Sequence, residues 1–286
     1  MKVGLALAGG GIRGAAHIGA IKALEENGIK ISTIGGTSAG SIVAALYAMG
    51  YKTDEMIDLF REFSREAVAI SPKYIWESIK ATKNIKLSGL TTGENIEKIV
   101  QRAAKRKKIK NIKDIKMPIT IPATDLTSSK EIIFTNNQNL KGDQYINDIE
   151  IGKAVRASST FPAMYAPFEY DKYQFVDGGI FANLPVVETK ELGIDKVLAI
   201  RFKLKSSKKQ KTMYNITMQS LDLMTENLIK ESVEASDSVL KIDLKETLKK
   251  YNYKNITFIG NLPYYITTAI INKITEQSNP KEIIDK

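Results

Sequence analysis

The chain has no cysteine, and only one histidine and one tryptophan in 286 residues. Without cysteine, disulfides and thiolate chemistry are excluded, and a reducing compartment is permitted. No apolar run reaches the length of about 20 residues that crosses a bilayer. The apolar stretch at 3–8 is too short for the core of a secretory signal. Cytoplasm is therefore the expected location. What the sequence does have is 43% hydrophobic and 26% charged residues, enough for one large α/β domain with a sizeable core. It also has a lysine excess that sets the formal net charge at +10. The two densest basic runs, 102–116 and 203–211, read as solvated helix ends or loops. Their minority reading is peripheral contact with an anionic membrane surface. Neither run is interleaved with aromatics, which argues against stacking on single-stranded nucleic acid.

Read in order, residues 3–8 form an unbroken apolar run, as expected of a buried parallel strand, and lead into Gly9-Gly10-Gly11-Ile12-Arg13-Gly14. A helix follows with Ile18, Ile21 and Leu24 on one face and Gly28 as its stop, then a second strand at 31–36. This is a βαβ opening, for which a right-handed crossover and a parallel sheet are the economical inference. Further helices are expected at 54–66, 95–107 and 151–159, and at 183–192 opening on Asn183-Leu184-Pro185. Strands are expected at 117–124, 131–135, 173–176 and 196–202. The stretch 75–90 gives no clear pattern.

The glycine loop invites a dinucleotide-binding reading. That fold requires an acidic residue at the end of the second strand, and here the strand ends in Gly35-Gly36-Thr37-Ser38. The alternative is that the N–H groups of Gly10 and Gly11 hold an oxyanion. Gly36-Thr37-Ser38-Ala39-Gly40, set between a strand and a small-residue helix pattern, fits a nucleophile elbow: a tight turn that exposes the Ser38 hydroxyl at a helix N-terminus. Both loops leave parallel strands at the same edge, so they can converge.

A nucleophilic serine needs a proton acceptor, most often histidine. His17 is in phase with Ile21 and Leu24, so it is expected on the packed face of the first helix as a core residue. A carboxylate is left, and Asp177 is the best candidate. It ends an apolar strand, and Gly178-Gly179 lets the backbone bend toward another loop. As a base it requires a partly desolvated site, because an ordinary aspartate with a pKa of about 3.9 is too weak toward an alcohol.

These motifs, in this order, resemble the patatin-like phospholipases, which are lipid acyl hydrolases. The stretches Arg156-Ala157-Ser158-Ser159-Thr160-Phe161-Pro162 and Asn183-Leu184-Pro185-Val186 add to the resemblance, which spans about residues 1–236. It implies a three-layer α/β fold with a mainly parallel sheet and helices on both faces. By the same resemblance Ser38 is the nucleophile and Asp177 the base. Gly10, Gly11 and Ile12 supply the oxyanion hole with Arg13 beside it, and Gly9, Gly14, Gly36, Gly40, Gly178 and Gly179 complete the motifs. The implied substrate is a lipid or other acyl ester, with no cofactor and no metal.

Beyond about residue 239 the resemblance changes. The stretch 251–285, with Asn261-Leu262-Pro263-Tyr264-Tyr265, resembles a fragment of the rRNA adenine dimethyltransferases. The expected organisation is an acyl hydrolase domain at 1–238 and an atypical segment at 239–286. Methyl transfer is not expected, since the one glycine-rich loop belongs to the elbow geometry. Two alternatives compete with hydrolysis: a catalytically silent lipid-binding or interaction protein on the same scaffold, and RNA binding through the tail.

Overall fold

The structure, a computed structural model, describes residues 2–66, 89, 91–162, 164–204, 209 and 213–243. Its strands are β1 (Lys2–Leu7), β2 (Lys30–Gly36), β3 (Ile119–Asp125), β4 (Lys130–Thr135), β5 (Tyr145–Ile146), β6 (Phe168–Tyr170), β7 (Tyr173–Asp177), β8 (Val197–Phe202) and β9 (Ser238–Ile242). Its α-helices are α1 (Ala15–Glu26), α2 (Ala39–Ala48), α3 (Thr53–Glu66), α4 (Glu94–Arg106), α5 (Ile151–Ser158), α6 (Gly179–Ala182), α7 (Val186–Lys190) and α8 (Met213–Ala235).

Side chains alternate across a strand, and β1 shows what that does here. Leu5 and Leu7 face one way, into a large cluster with Ile18 and Ile21 of α1, Ile42 of α2 and Phe60 of α3. Ala6 and Ala8 face the other way, into a smaller cluster with Leu184, Val186 of α7, Val197 and Ala199 of β8 and Ile229 of α8. The helices therefore cover both faces. The second layer packs close because β1 offers it only glycine and alanine: a Cβ on Gly4 would lie 2.8 Å from an Ile194 methyl carbon. The α/β fold with a mainly parallel sheet is the expected one.

The sheet runs β5-β4-β3-β2-β1-β8-β9, with β7 joined to β3 and β6 to β7. β1 pairs in parallel with β2 and β8, β2 with β3, and β8 with β9. What positions the site is a fork on one edge of β3. Its other edge is taken by antiparallel β4 from Thr120 to Asp125. On the forked edge, parallel β2 pairs only with Ile119 and Thr120, while antiparallel β7 pairs with Ala123, Thr124 and Asp125. The carboxyl ends of β2 and β7 therefore run head-on toward each other and stop at Pro122, which has no N–H to offer either strand. Ser38 lies just past one end and Asp177 forms the other. This antiparallel approach, rather than a shared parallel rim, brings residues 139 positions apart (177 − 38) into one place.

The basic run at 102–116 lies on the last turn of α4 and the chain that follows. A helix C-terminus favours cations there. Arg102 pairs with Glu62, Lys107 with Glu55 and Lys113 with Asp148, so part of its charge is balanced locally. Most of the run at 203–211, the stretch 75–88 and the tail from 244 onward lie outside the described residues. The expected boundary at 238/239 falls within β9, which pairs with β8 from Ser238 to Ile242.

Candidate active site

β2 ends at Gly36 and α2 begins at Ala39, so Ser38 sits on the turn between them with φ 53° and ψ −123°. That region is unfavourable for a residue with a side chain and persists only where the surroundings enforce it. Glycine is required on either side. A Cβ on Gly36 would run into the Gly40 carbonyl, and one on Gly40 into the Leu7 carbonyl, so the strand, turn and helix close to this distance only without side chains. Hydrogen bonds then lock the turn. Thr37 N donates to Leu7 O (3.1 Å), Gly40 N to Thr37 O (2.8 Å), Ser41 Oγ to Ser38 O (2.6 Å), and Ser38 N to Ser158 Oγ (3.0 Å).

Asp177 is 3% exposed, at the end of β7. Its Oδ1 accepts from Gly179 N (2.8 Å), while Oδ2 is buried with no bond of full geometry. Burial pushes its pKa up to about 6, with the Ser38 side chain and the Gly179 N–H drawing it partly back. The Ser38 side chain is thus near enough to the carboxylate to lower its pKa, although no hydrogen bond of full geometry joins them. The desolvation that an aspartate base requires is present. Gly178 makes the approach feasible, since a Cβ there would collide with the Pro122 carbonyl at the fork of the sheet.

The glycine loop lies against Ser38: a Cβ on Gly9 would come within 3.3 Å of the Ser38 Cβ. Gly9 N is committed to Asn183 O (3.0 Å), whereas the N–H groups of Gly10, Gly11 and Ile12 have no acceptor among the described residues. Arg13 sets their direction. Its Nε donates to Gly10 O (3.0 Å) and its N–H to the same oxygen (3.3 Å). In a trans peptide the Gly11 N–H must then point the opposite way. Gly11 has φ +57° and opens a 3₁₀ turn from Gly11 to Gly14, where Gly14 packs on Ala39 at the start of α2.

Ser38, Asp177 and Gly9 to Arg13 share one cavity of about 320 Å³. Apart from them its wall is largely apolar, with Ile42 of α2, Phe60 of α3, Ile96 of α4, and Phe161, Met164 and Tyr165 after α5. Leu221, Asp222 and Thr225 of α8 close another side. The sequence reading did not anticipate α8. Its cavity-facing residues are mixed in polarity, Ile229 turns to the core, and Leu223 and Met224 are exposed, so no single apolar stripe marks it.

His17 is a core residue, as its phase indicates. It is fully buried, donates through Nε2 to Ala8 O (2.9 Å), packs on Phe202 with ring centroids 4.7 Å apart, and does not line the cavity. Burial pushes its pKa down to about 4 from 6.5. The folded state holds the neutral ring, so this stability is complete above pH 6.5 and is lost as pH falls through 4. His17→Gln is expected to leave ester hydrolysis near the parent level at pH 8. Thermal unfolding at pH 8 and pH 5 should show a smaller acid-side loss of stability than in the parent.

Strands, elbow turn and flanking helices together define an α/β protein of the nucleophile-elbow kind. The chain belongs to the patatin-like phospholipase family, whose model matches residues 5–190, a segment that contains the glycine loop, Ser38 and Asp177. The match ends at the last residue of α7, short of the resemblance read through about residue 236. Lysophospholipase NTE1 of Mycosarcoma maydis is 32% identical over 200 residues, covering 70% of this chain and 10% of that protein. The uncharacterized protein YqhO of Bacillus subtilis is 30% identical over 189 residues, 62% of this chain and 63% of that one. This chain thus spans about a tenth of the length of the lysophospholipases it matches. Among solved structures, VipD from Legionella pneumophila has a similar fold, with a TM-score of 0.50 at 15% identity over 99% of this chain and 66% of that one. Among the described residues, no helix is long and apolar enough to cross a membrane.

Proposed function

We propose that the chain hydrolyses acyl esters of lipids through a Ser38–Asp177 dyad. Asp177 takes the Ser38 proton as Oγ bonds to the acyl carbon, and the carbonyl oxygen gains negative charge. The N–H groups of Gly10, Gly11 and Ile12 hold that charge. The tetrahedral species collapses, the alcohol leaves with the proton from Asp177, and an acyl-serine remains. Water, deprotonated by the same carboxylate, then frees the fatty acid and restores Ser38. The observation that carries this reading is the buried, underbonded Asp177 carboxylate facing a serine on a strained turn. The apolar wall of Ile42, Phe60 and Ile96 suits a hydrocarbon chain and supports a fatty-acyl substrate. The lysophospholipase names of the relatives support the same class. Ile180 lines the cavity and is also exposed, with exposed Phe181 beside it, which supports delivery of the ester from a lipid surface by peripheral contact.

A base whose pKa lies near 6 makes an acid-limb prediction. Between pH 4.5 and 9, kcat/KM for a p-nitrophenyl ester should fall as pH drops through about 6, with a slope of one proton. A midpoint near the ordinary aspartate value, or one that moves in His17→Gln, would contradict the assignment.

A further inference from the structure

We infer that Ser158 is a positioning residue that holds the nucleophile turn in register with the carboxylate strand; this rests on reading Ser38 and Asp177 as nucleophile and base. β2 and β7 do not pair with each other, since each ends against a different part of β3. β3 brings the two tips together, and the fine spacing of the turns beyond the strand ends is left to the contacts that bridge them. The only hydrogen bond described for the Ser38 N–H is to Ser158 Oγ, 120 residues away in sequence, at 3.0 Å. Gly178 N donates to the Ser158 carbonyl (3.2 Å), and Asp177 N donates to the Thr160 carbonyl (2.9 Å). Two residues at and just after the end of α5, Ser158 and Thr160, thus bind the backbone of the serine on one side and the backbone of the aspartate and its neighbour on the other.

This bracket is itself firmly seated. Ser158 is fully buried. Thr160 Oγ1 donates back to Arg156 O (2.8 Å) and Ser159 N to Val155 O (3.0 Å), which closes the turn on the helix. Arg156 ties that helix to α4 and the chain before it, through Glu97 (2.8 Å) and the Thr92 carbonyl (2.9 Å). Within the bracket, the Ser158 hydroxyl alone reaches Ser38 by a side chain. The unfavourable φ of Ser38 gives the turn a reason to relax once its N–H is released, and relaxation would swing the hydroxyl away from the Asp177 carboxylate. A residue that only filled space would have no such consequence.

The test compares Ser158→Ala, Ser158→Val and Ser158→Thr by kcat and KM on a soluble p-nitrophenyl ester, well below the melting temperature of each folded variant. Val and Thr add the same bulk, and only Thr keeps an oxygen. Ser158→Ala is expected to lower kcat by about tenfold to a hundredfold with KM little changed, the span expected for one unsatisfied buried N–H at the reacting residue. Ser158→Thr should be faster than Ser158→Val. Full kcat in folded Ser158→Ala overturns the inference, as do equal rates for Thr and Val. Failure of both Ala and Thr to fold also overturns it, since Ser158 would then serve the core rather than the turn. Ser38→Ala, measured alongside, separates the two levels. If Ser38→Ala keeps activity, the dyad reading fails. If it is inactive while Ser158→Ala is unimpaired, only the bracket fails.

Discussion

Ser38→Ala is expected to abolish ester hydrolysis, by roughly 10⁴-fold or more, given that losing the nucleophile of a serine hydrolase typically costs on the order of 10⁶ in kcat. The fold should be undisturbed, and this distinguishes the effect from simple damage. The turn is held by backbone bonds and by glycine, not by the Ser38 hydroxyl: Thr37 N, Gly40 N and Ser38 N all keep their acceptors in the alanine variant. Circular dichroism and the melting temperature at pH 8 should therefore stay near the parent values. Hydrolysis persisting at the parent rate would show that the carbonyl is attacked from elsewhere.

Asp177→Asn is expected to be the second inactive variant, by about 10²- to 10⁴-fold, the usual contribution of a positioned base. Its effect on stability should have the opposite sign. Asp177 is buried, and its pKa is raised from 3.8 to about 6, so the folded state binds a proton more tightly than the unfolded chain does. The carboxylate is thus no burden below pH 3.8. It becomes one as pH rises through 6 and remains one above. A shift of about two units corresponds to roughly 3 kcal/mol. Asparagine has no charge to bury and can offer an N–H toward Ser38. Urea unfolding should find Asp177→Asn more stable than the parent by about 1–3 kcal/mol at pH 8, with the gain fading at pH 4. A variant that loses both activity and stability at pH 8 would instead mark Asp177 as a structural strand-end residue.

Much of this was legible in the sequence because the informative positions are those where only one residue type fits. Gly36 and Gly40 meet carbonyl groups at distances no side chain allows, and so the elbow is visible as a spacing. Residues 3–8 are apolar without a break because both faces of β1 are covered, and so the strand is visible as a run. His17 was placed by its helical phase. Asp177 as partner of Ser38 was legible from its place at a strand end before two glycines and from the resemblance, but the route by which the two meet was not, because its cause is long-range: β7 runs antiparallel to β3 and fills the half-edge that β2 leaves open. Pro122 at that fork looks, in sequence, like an awkward proline inside a strand. α8 escaped notice because its faces serve three environments at once, namely cavity, core and solvent. Ser158 belongs to a stretch that carries the family resemblance, but a serine at a helix end gives no hint that its partner is the amide of residue 38.

The most direct test of the central claim is covalent. Folded parent protein is treated at pH 8 with a fluorophosphonate probe, and the modified peptide is located by mass spectrometry. The account expects one adduct, on Ser38, absent from Ser38→Ala and formed far more slowly in Asp177→Asn. Folded protein that hydrolyses esters yet takes up no probe at Ser38, or that labels there at the parent rate without the Asp177 carboxylate, would contradict it.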